Sequence, residues 1–317
     1  MTIRSPLSDQ MILAARTAKN TVDPYRPYAY LVEPECQPDG KVDDVAVLFL
    51  TNRECPFRCV MCDLWKNTTD EVVPLGAIPE QIDYALRRLP PARHIKLYNS
   101  GNFFDPSAIP VEDYEAIAER VKGFSTVIVE NHPAMVGKRV ERFMQCLRTV
   151  NPATTLEVAM GLETIHPKVL PWLNKQMTTT LFRRACDTLS DLGATLRAFV
   201  LLRPPTLSEQ DGLEWAQRTT EFAFDCSVQT VSIIPTRSGN GIMEQLQQAD
   251  LFSPPTLDSM ETVLETMLAL QRGRVFVDLW DAEIAFQDAP FARARIERLR
   301  QMNLTQVVSP RVHYESP

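Results

Sequence analysis

The chain has 317 residues, 44% hydrophobic and 23% charged, with a formal net charge of −7 at pH 7. That is enough apolar material for a sizeable core, and the acidic balance excludes a whole-chain basic field of the kind that draws in a nucleic-acid backbone. With no basic-then-apolar leader and no apolar run long enough to cross a bilayer, a cytoplasmic protein without membrane contact is expected.

Residues 1–44 read as an N-terminal extension. An amphipathic helix is expected around Met11 to Ala18, followed by the Pro- and Tyr-rich segment Asp23-Pro24-Tyr25-Arg26-Pro27-Tyr28-Ala29-Tyr30, packed over the outside or bottom of the domain in preference to the alternative, a contact with substrate. The continuous apolar run from Val45 to Leu50 then marks a first strand over 45–51, buried on both faces as in a parallel sheet. Further strands are expected at 94–99, 126–130, 156–160, 196–202 and 228–234. Between them lie amphipathic stretches, with a helix opening at Pro79 and others at 111–121, 139–150 and 180–192. Gly123 and Gly193 supply helix stops, and prolines at 204–205 and 235 close the last two strands. Six strand-helix units over 45–240 give an α/β class and a partial (β/α)6 TIM-type barrel. Residues 241–317 read as a C-terminal extension covering its open side. That segment carries a helix with Leu257, Met260, Leu264, Met267 and Leu270 on one face, then the run Val275-Phe276-Val277.

Of seven cysteines, Cys36, Cys146, Cys186 and Cys226 are scattered without pairing spacings, which suits a reducing compartment. Cys55, Cys59 and Cys62 are different: they share one short loop directly after the first strand. Soft thiolates suit iron-sulfur centres, and a cubane takes one cysteine per iron, so three cysteines leave one iron without a protein ligand. An open metal position marks a catalytic site rather than a closed structural one. A zinc site usually brings four ligands, and no His or Cys lies close after Cys62, although a non-catalytic metal-binding module is the alternative from another class.

The cysteine loop and its place after a first strand resemble the radical S-adenosylmethionine (SAM) superfamily. Leu50-Thr51-Asn52-Arg53-Glu54, Cys62-Asp63-Leu64-Trp65-Lys66-Asn67 and Lys96-Leu97-Tyr98-Asn99-Ser100-Gly101-Asn102 are similar to a subgroup related to the archaeosine-synthase radical subunit and, more distantly, to the elongator catalytic subunit. The resemblance implies a 4Fe-4S cluster whose open iron is chelated by S-adenosylmethionine. It implies reductive cleavage to a 5′-deoxyadenosyl radical that abstracts hydrogen from a substrate, and an external one-electron donor such as flavodoxin or ferredoxin. In the archaeosine case it further implies radical C–N bond cleavage on a modified tRNA base. The acidic balance and the lack of a recognisable RNA-binding appendage favour a small-molecule or biosynthetic substrate over tRNA, since shared fold does not transfer a substrate.

In such barrels reactive groups collect at the C-terminal strand ends. Ser100, Gly101 and Asn102 stand where the superfamily usually has Gly-Gly-Glu holding the cofactor's amino group; Gly101 permits close backbone approach and Asn102 offers an amide oxygen. Glu163 falls where the superfamily puts a polar residue against the ribose. Arg203 offers a planar fork for a carboxylate; the resemblance implies that Ile234 and Thr236 border the adenine and that Met61 takes the place of a commonly aromatic residue near it. His132, able to transfer a proton near neutral pH, is a catalytic candidate together with Glu130 and Tyr98 at neighbouring strand ends. Arg53, Arg58 and Lys66 bring positive charge near the loop. Arg237 and Asn240 are placed to face a substrate, and Asp278, Trp280 and Asp281 to close its pocket.

Overall fold

The structure, a computed structural model, describes residues 6–312. Among these, eight strands form one sheet in chain order: β1 (Ala29–Cys36), β2 (Val42–Phe49), β3 (His94–Tyr98), β4 (Thr126–Asn131), β5 (Thr155–Glu163), β6 (Thr195–Leu202), β7 (Thr230–Pro235) and β8 (Arg274–Val277). β1 pairs antiparallel with β2 and every later pair is parallel, giving a curled partial barrel whose two ends, β1 and β8, are not joined. The expected α/β class and partial barrel are thus present, with the six expected strands appearing as β2 to β7. The sheet also runs into both flanking segments. β1 lies in the stretch read as an extension, and its Glu33-Pro34-Glu35 interrupts any apolar pattern.

Helices α1 (Asp9–Ala15), α2 (Ala77–Leu86), α3 (Tyr114–Val121), α4 (Lys138–Val150), α5 (Val169–Trp172), α6 (Thr179–Asp191), α7 (Glu209–Asp225), α8 (Ile242–Gln248), α9 (Leu257–Ala269), α10 (Ala282–Ala285) and α11 (Ala292–Thr305) complete the chain. Ser8, Thr178, Ser208 and Thr256 cap α1, α6, α7 and α9, each side-chain oxygen accepting a first-turn N–H. None of the described helices is long and apolar enough to cross a membrane.

The outward strand faces pack under the helices. Leu48, Ile95, Leu97, Val129, Val158, Leu196 and Val231 meet Ile82, Ile117, Phe143 and Phe182, all buried. Each such side chain contributes roughly 1.5–3 kcal/mol of transfer free energy. A second apolar cluster sits at the C-terminal strand ends. There Ile12, Val60, Trp172, Leu173, Leu201 and Met243 tie α1, the cysteine loop, α5, β6 and α8 together.

The lumen face carries charge where barrels usually hold branched aliphatics. The Lys96 ammonium lies 2.6 Å from both Glu33 and Glu35, and Arg197 reaches Glu35 at 2.5 Å and Glu157 at 2.6 Å. Arg274 lies within 3.6 Å of Glu35 and 3.5 Å of Glu157. Buried ions persist only when paired. Burial alone would raise the Glu35 carboxyl, but Arg197 and Lys96 outweigh it and hold that group well below the usual carboxylate range. One lumen-facing position further along their strands, Tyr98 and Phe199 meet edge to face with centroids 6.1 Å apart, closing the lumen above the ions.

Candidate active site

The cysteine loop is gripped at both ends. Leu50 N–H donates to Tyr98 O at 2.7 Å, extending the strand pairing. The buried Gln81 side chain accepts from Thr51 N–H at 2.8 Å and donates to Thr51 O and Pro24 O, each at 2.7 Å. Beyond the cysteines, Asn240 donates to Val60 O at 2.7 Å and to Cys62 O at 3.0 Å, while Lys66 reaches Gly239 O. Asn240 therefore braces the loop. Val60 donates to Leu173 O at 3.0 Å and its side chain is buried in the second apolar cluster, against which Met61 and Ile234 also pack.

Cys55, Cys59 and Cys62 are half-buried. Burial pushes all three thiols up, Cys59 to about 12, so without a metal they stay protonated at neutral pH. Metal binding would displace the protons and supply the compensating charge. Among the described residues no group of His, Cys, Asp and Glu converges as a single ion would require; a cubane spreads its thiolates over separate irons and needs no such convergence. Soft donors of one type on one braced loop fit that cluster. On the loop's outer side lies a cleft of about 430 Å³, lined by Arg53, Glu54, Arg58 and Asp70 among others. Its charges are mostly paired, Glu54 meeting Arg16 at 2.6 Å, Lys19 at 2.8 Å and Arg58 at 3.0 Å.

The turn after β3 lies against the first cysteine. Asn102 Nδ2 donates to Cys55 Sγ at 3.2 Å, and a Cβ on Gly101 would sit 3.4 Å from Cys55 Cβ. Ser100 adopts the left-handed region at φ 54. Glu130, from the end of β4, holds this turn by accepting from Asn99 N–H at 2.7 Å and Gly101 N–H at 3.2 Å; burial raises its carboxyl against those bonds. Tyr28, which sequence reading did not single out, donates or accepts a 2.9 Å bond with Ser100 Oγ and packs on Phe49 at 5.6 Å. The Pro- and Tyr-rich segment therefore lies at the active end rather than outside or below the barrel. Nearby, Thr51, Asn52 and Asn99 are buried with a hydroxyl or amide atom lacking a protein partner, a cost of roughly 1–3 kcal/mol each unless a polar group reaches them.

On the other side His132 stacks on Phe57 of the cysteine loop at 3.9 Å. Its Nδ1 accepts from Ala134 N–H at 3.1 Å and its Nε2 donates to Lys175 O at 2.9 Å, while burial lowers its pKa to about 4. Both nitrogens are thus committed and the ring is neutral. Lys175, also unnoticed in the sequence, is 11% exposed at its side chain and donates to Glu163 Oε1 at 2.5 Å.

No family model matches the chain. Archaeosine synthase subunit beta from Methanosarcina acetivorans is 27% identical over 213 residues, 65% of this chain and 60% of that protein. The protein of the same name from Thermococcus kodakarensis is 30% identical over 176 residues, 54% and 53% of the two chains. This chain therefore spans less than two thirds of these relatives' length. Among solved structures, Streptococcus suis SuiB bound to precursor peptide SuiA superposes with a TM-score of 0.53 at 12% identity, covering 74% of this chain and 48% of that one. Methanocaldococcus infernus Elp3 gives 0.50 at 15%, covering 74% and 56%. Both are radical SAM enzymes. The chain has the radical SAM fold. The resemblance read from the cysteine loop is met by these relatives and neighbours.

Within the radical SAM fold, the structure brings Ser100, Gly101, Asn102, Glu130, His132 and Glu163 around the cysteine loop. It leaves others committed elsewhere. Arg203 pairs with Glu209 and donates to Pro254 O at 2.8 Å, and the Thr236 hydroxyl donates to Leu202 O at 2.9 Å. Arg237 reaches Asp278 at 2.5 Å and Trp280 O at 2.9 Å, forming a rim above the lumen. Tyr98 faces the lumen, where burial raises its hydroxyl to about 12, so at neutral pH it is a hydrogen-bond donor and not a base.

Proposed function

We propose that the chain is a radical SAM enzyme in which Cys55, Cys59 and Cys62 hold a 4Fe-4S cluster. S-adenosylmethionine would bind at the open iron beside Ser100, Gly101 and Asn102, and a substrate in the mouth of the lumen would give up a hydrogen atom. The observation that carries this reading is the Asn102–Cys55 contact: the turn assigned to the cofactor by resemblance and the cysteine loop form one surface. When bound, these cofactors supply reductive cleavage of a sulfonium and hydrogen abstraction from the substrate.

The chain's own residues shape the rest. Glu130 fixes the backbone of the turn so that its polar groups are already oriented. Tyr98 and Phe199 form the pocket floor, and Phe49 and Trp280, 6.3 Å apart, form a wall. The buried ions Lys96, Arg197, Glu35 and Glu157 lie beneath that floor, so a substrate meets aromatic faces and the Arg237–Asp278 rim. On this reading the substrate is a small molecule or biosynthetic intermediate, with flavodoxin or ferredoxin as the external electron donor and the cytoplasm as the setting. Anaerobic reconstitution tests the reading: about four irons per chain and release of 5′-deoxyadenosine on reduction are expected, and both should vanish in Cys59→Ala. Zinc in place of iron, or cleavage surviving that substitution, would overturn it.

A second reading is favoured by one observation, the shared name of the two relatives. On it the chain is one subunit of an archaeosine-type tRNA-modifying system performing C–N bond cleavage on a base. A salt-sensitive gel shift with tRNA separates the two readings.

A further inference from the structure

Lys175 lies in a segment that is bonded to the cysteine loop along its length. Leu173 O accepts from Val60 N–H at 3.0 Å, and Asn174 Nδ2 donates to Arg58 O at 2.9 Å. Lys175 O accepts from His132, whose ring stacks on Phe57 between the first two cysteines. Asn174 and Gln176 flank the lysine with φ 54 and 58, left-handed conformations that non-glycine residues hold only when the surroundings impose them. The lysine side chain therefore cannot drift far from the loop.

The strand opposite is shaped to receive that side chain. The β5–β6 register shifts between Gly161 and Glu163, and Glu163 itself takes φ 63. A Cβ on Gly161 would fall 2.2 Å from Glu163 Oε1 and 2.3 Å from Lys175 Nζ, so the ion pair occupies the space a side chain would need. The ammonium acts electrostatically on Cys55, Cys59 and Cys62, with Glu163 its only carboxylate partner within salt-bridge distance among the described residues. Removing Lys175 would leave a buried carboxylate beside three sulfur ligands.

We propose that Lys175 is a positioning residue for electron transfer: its ammonium, oriented by Glu163, is a fixed positive charge against the cysteine loop that raises the reduction potential of the cluster bound there. This rests on the cluster reading above. The step moves one electron from a low-potential one-electron reductant to the cluster, oxidising the donor and adding one negative charge at the site. No bond or proton need change place. A nearby cation stabilises the reduced state through the Coulomb term, and cluster potentials respond to local charge in this way.

The test uses the full chain reconstituted anaerobically and titrated with dithionite, following the reduced cluster by electron paramagnetic resonance, with iron content measured in parallel. Lys175→Met should retain iron and lose at least tenfold in its reduction equilibrium, about 59 mV to the negative for a one-electron couple. Lys175→Arg should keep the wild-type potential, and Glu163→Gln, which removes the opposing charge, should move it positive. A Lys175→Met protein with full iron and an unchanged potential overturns the proposal. Should that variant not take up iron, Glu163→Gln decides, since an unmoved potential there overturns the proposal as well. Wild-type protein that binds no cluster overturns the parent reading and this one together, an outcome visible from its iron content alone.

Discussion

At the floor of the lumen Lys96, Arg197 and Arg274 meet Glu33, Glu35 and Glu157, so three cations face three carboxylates under an aromatic lid. At the rim Lys175 meets one carboxylate and acts on three thiols. The floor is electrically balanced, with Glu35 and Glu157 committed to its cations. Its pairs fix the register of β1, β3, β5, β6 and β8 around one axis rather than adding much net stability. The rim pair is neutral in itself, but it stands beside three sulfur ligands where a cluster would add negative charge. Buried charge thus does scaffolding work at one end of the barrel and poises the other for chemistry.

Breaking the floor should give the largest effect. Arg197→Met strands Glu35 and Glu157 with fewer partners in a buried site, and about 3–5 kcal/mol of stability should be lost, measured by urea denaturation. The same variant tests the pH behaviour. Folded Glu35 is held below the ordinary glutamate value of 4.5, so its stabilisation is complete above that value and is lost as pH falls beneath it. Wild-type protein should therefore hold its stability from neutral pH down to 4.5 and weaken as pH falls below that value, and the Arg197→Met protein should weaken less over the same acidic range. An equal loss in both would show that the acid sensitivity arises elsewhere.

At the rim the sign reverses and the magnitude falls. Glu130 is raised by burial, so its carboxylate opposes folding above its folded pKa and that opposition eases on acidification. Its worth lies in the backbone N–H groups it accepts. Glu130→Ala should leave them unpaired at about 1–3 kcal/mol and weaken S-adenosylmethionine binding, measured by calorimetry, through a loosened Ser100–Asn102 turn. Unchanged affinity would separate that turn from the cofactor.

The contrast also marks what the sequence could disclose. Parallel strands such as β2 were readable because burial on both faces leaves an unbroken apolar run, and the cysteine loop because its spacing is itself coordination chemistry. The floor ions were not. Lys96 and Arg197 look like single interruptions of apolar strands, and Glu33 and Glu35 on β1, which pair with them, come from a segment read as an extension, as does Arg274 on β8, which meets Glu35 and Glu157. Arg203 drew attention as an unpartnered fork, yet Glu209 on the next helix claims it. Lys175 and Tyr28 reach the site only through tertiary folding, and nothing in their neighbours' spacing announces it.

Tyr28 supplies the smallest test, and it bears on where the rim ends. Tyr28→Phe removes only the hydroxyl that meets Ser100 and keeps the ring on Phe49, so global stability should fall by no more than about 0.5–1.5 kcal/mol. Ser100 is held in a left-handed conformation that needs its neighbours. If the N-terminal segment is part of the rim, the lost bond should raise the Kd for S-adenosylmethionine by a factor of about 2–10, the same free energy spent at the turn. A lowered denaturation midpoint with unaltered Kd would instead assign Tyr28 to the scaffold and draw the functional boundary at the cysteine loop itself.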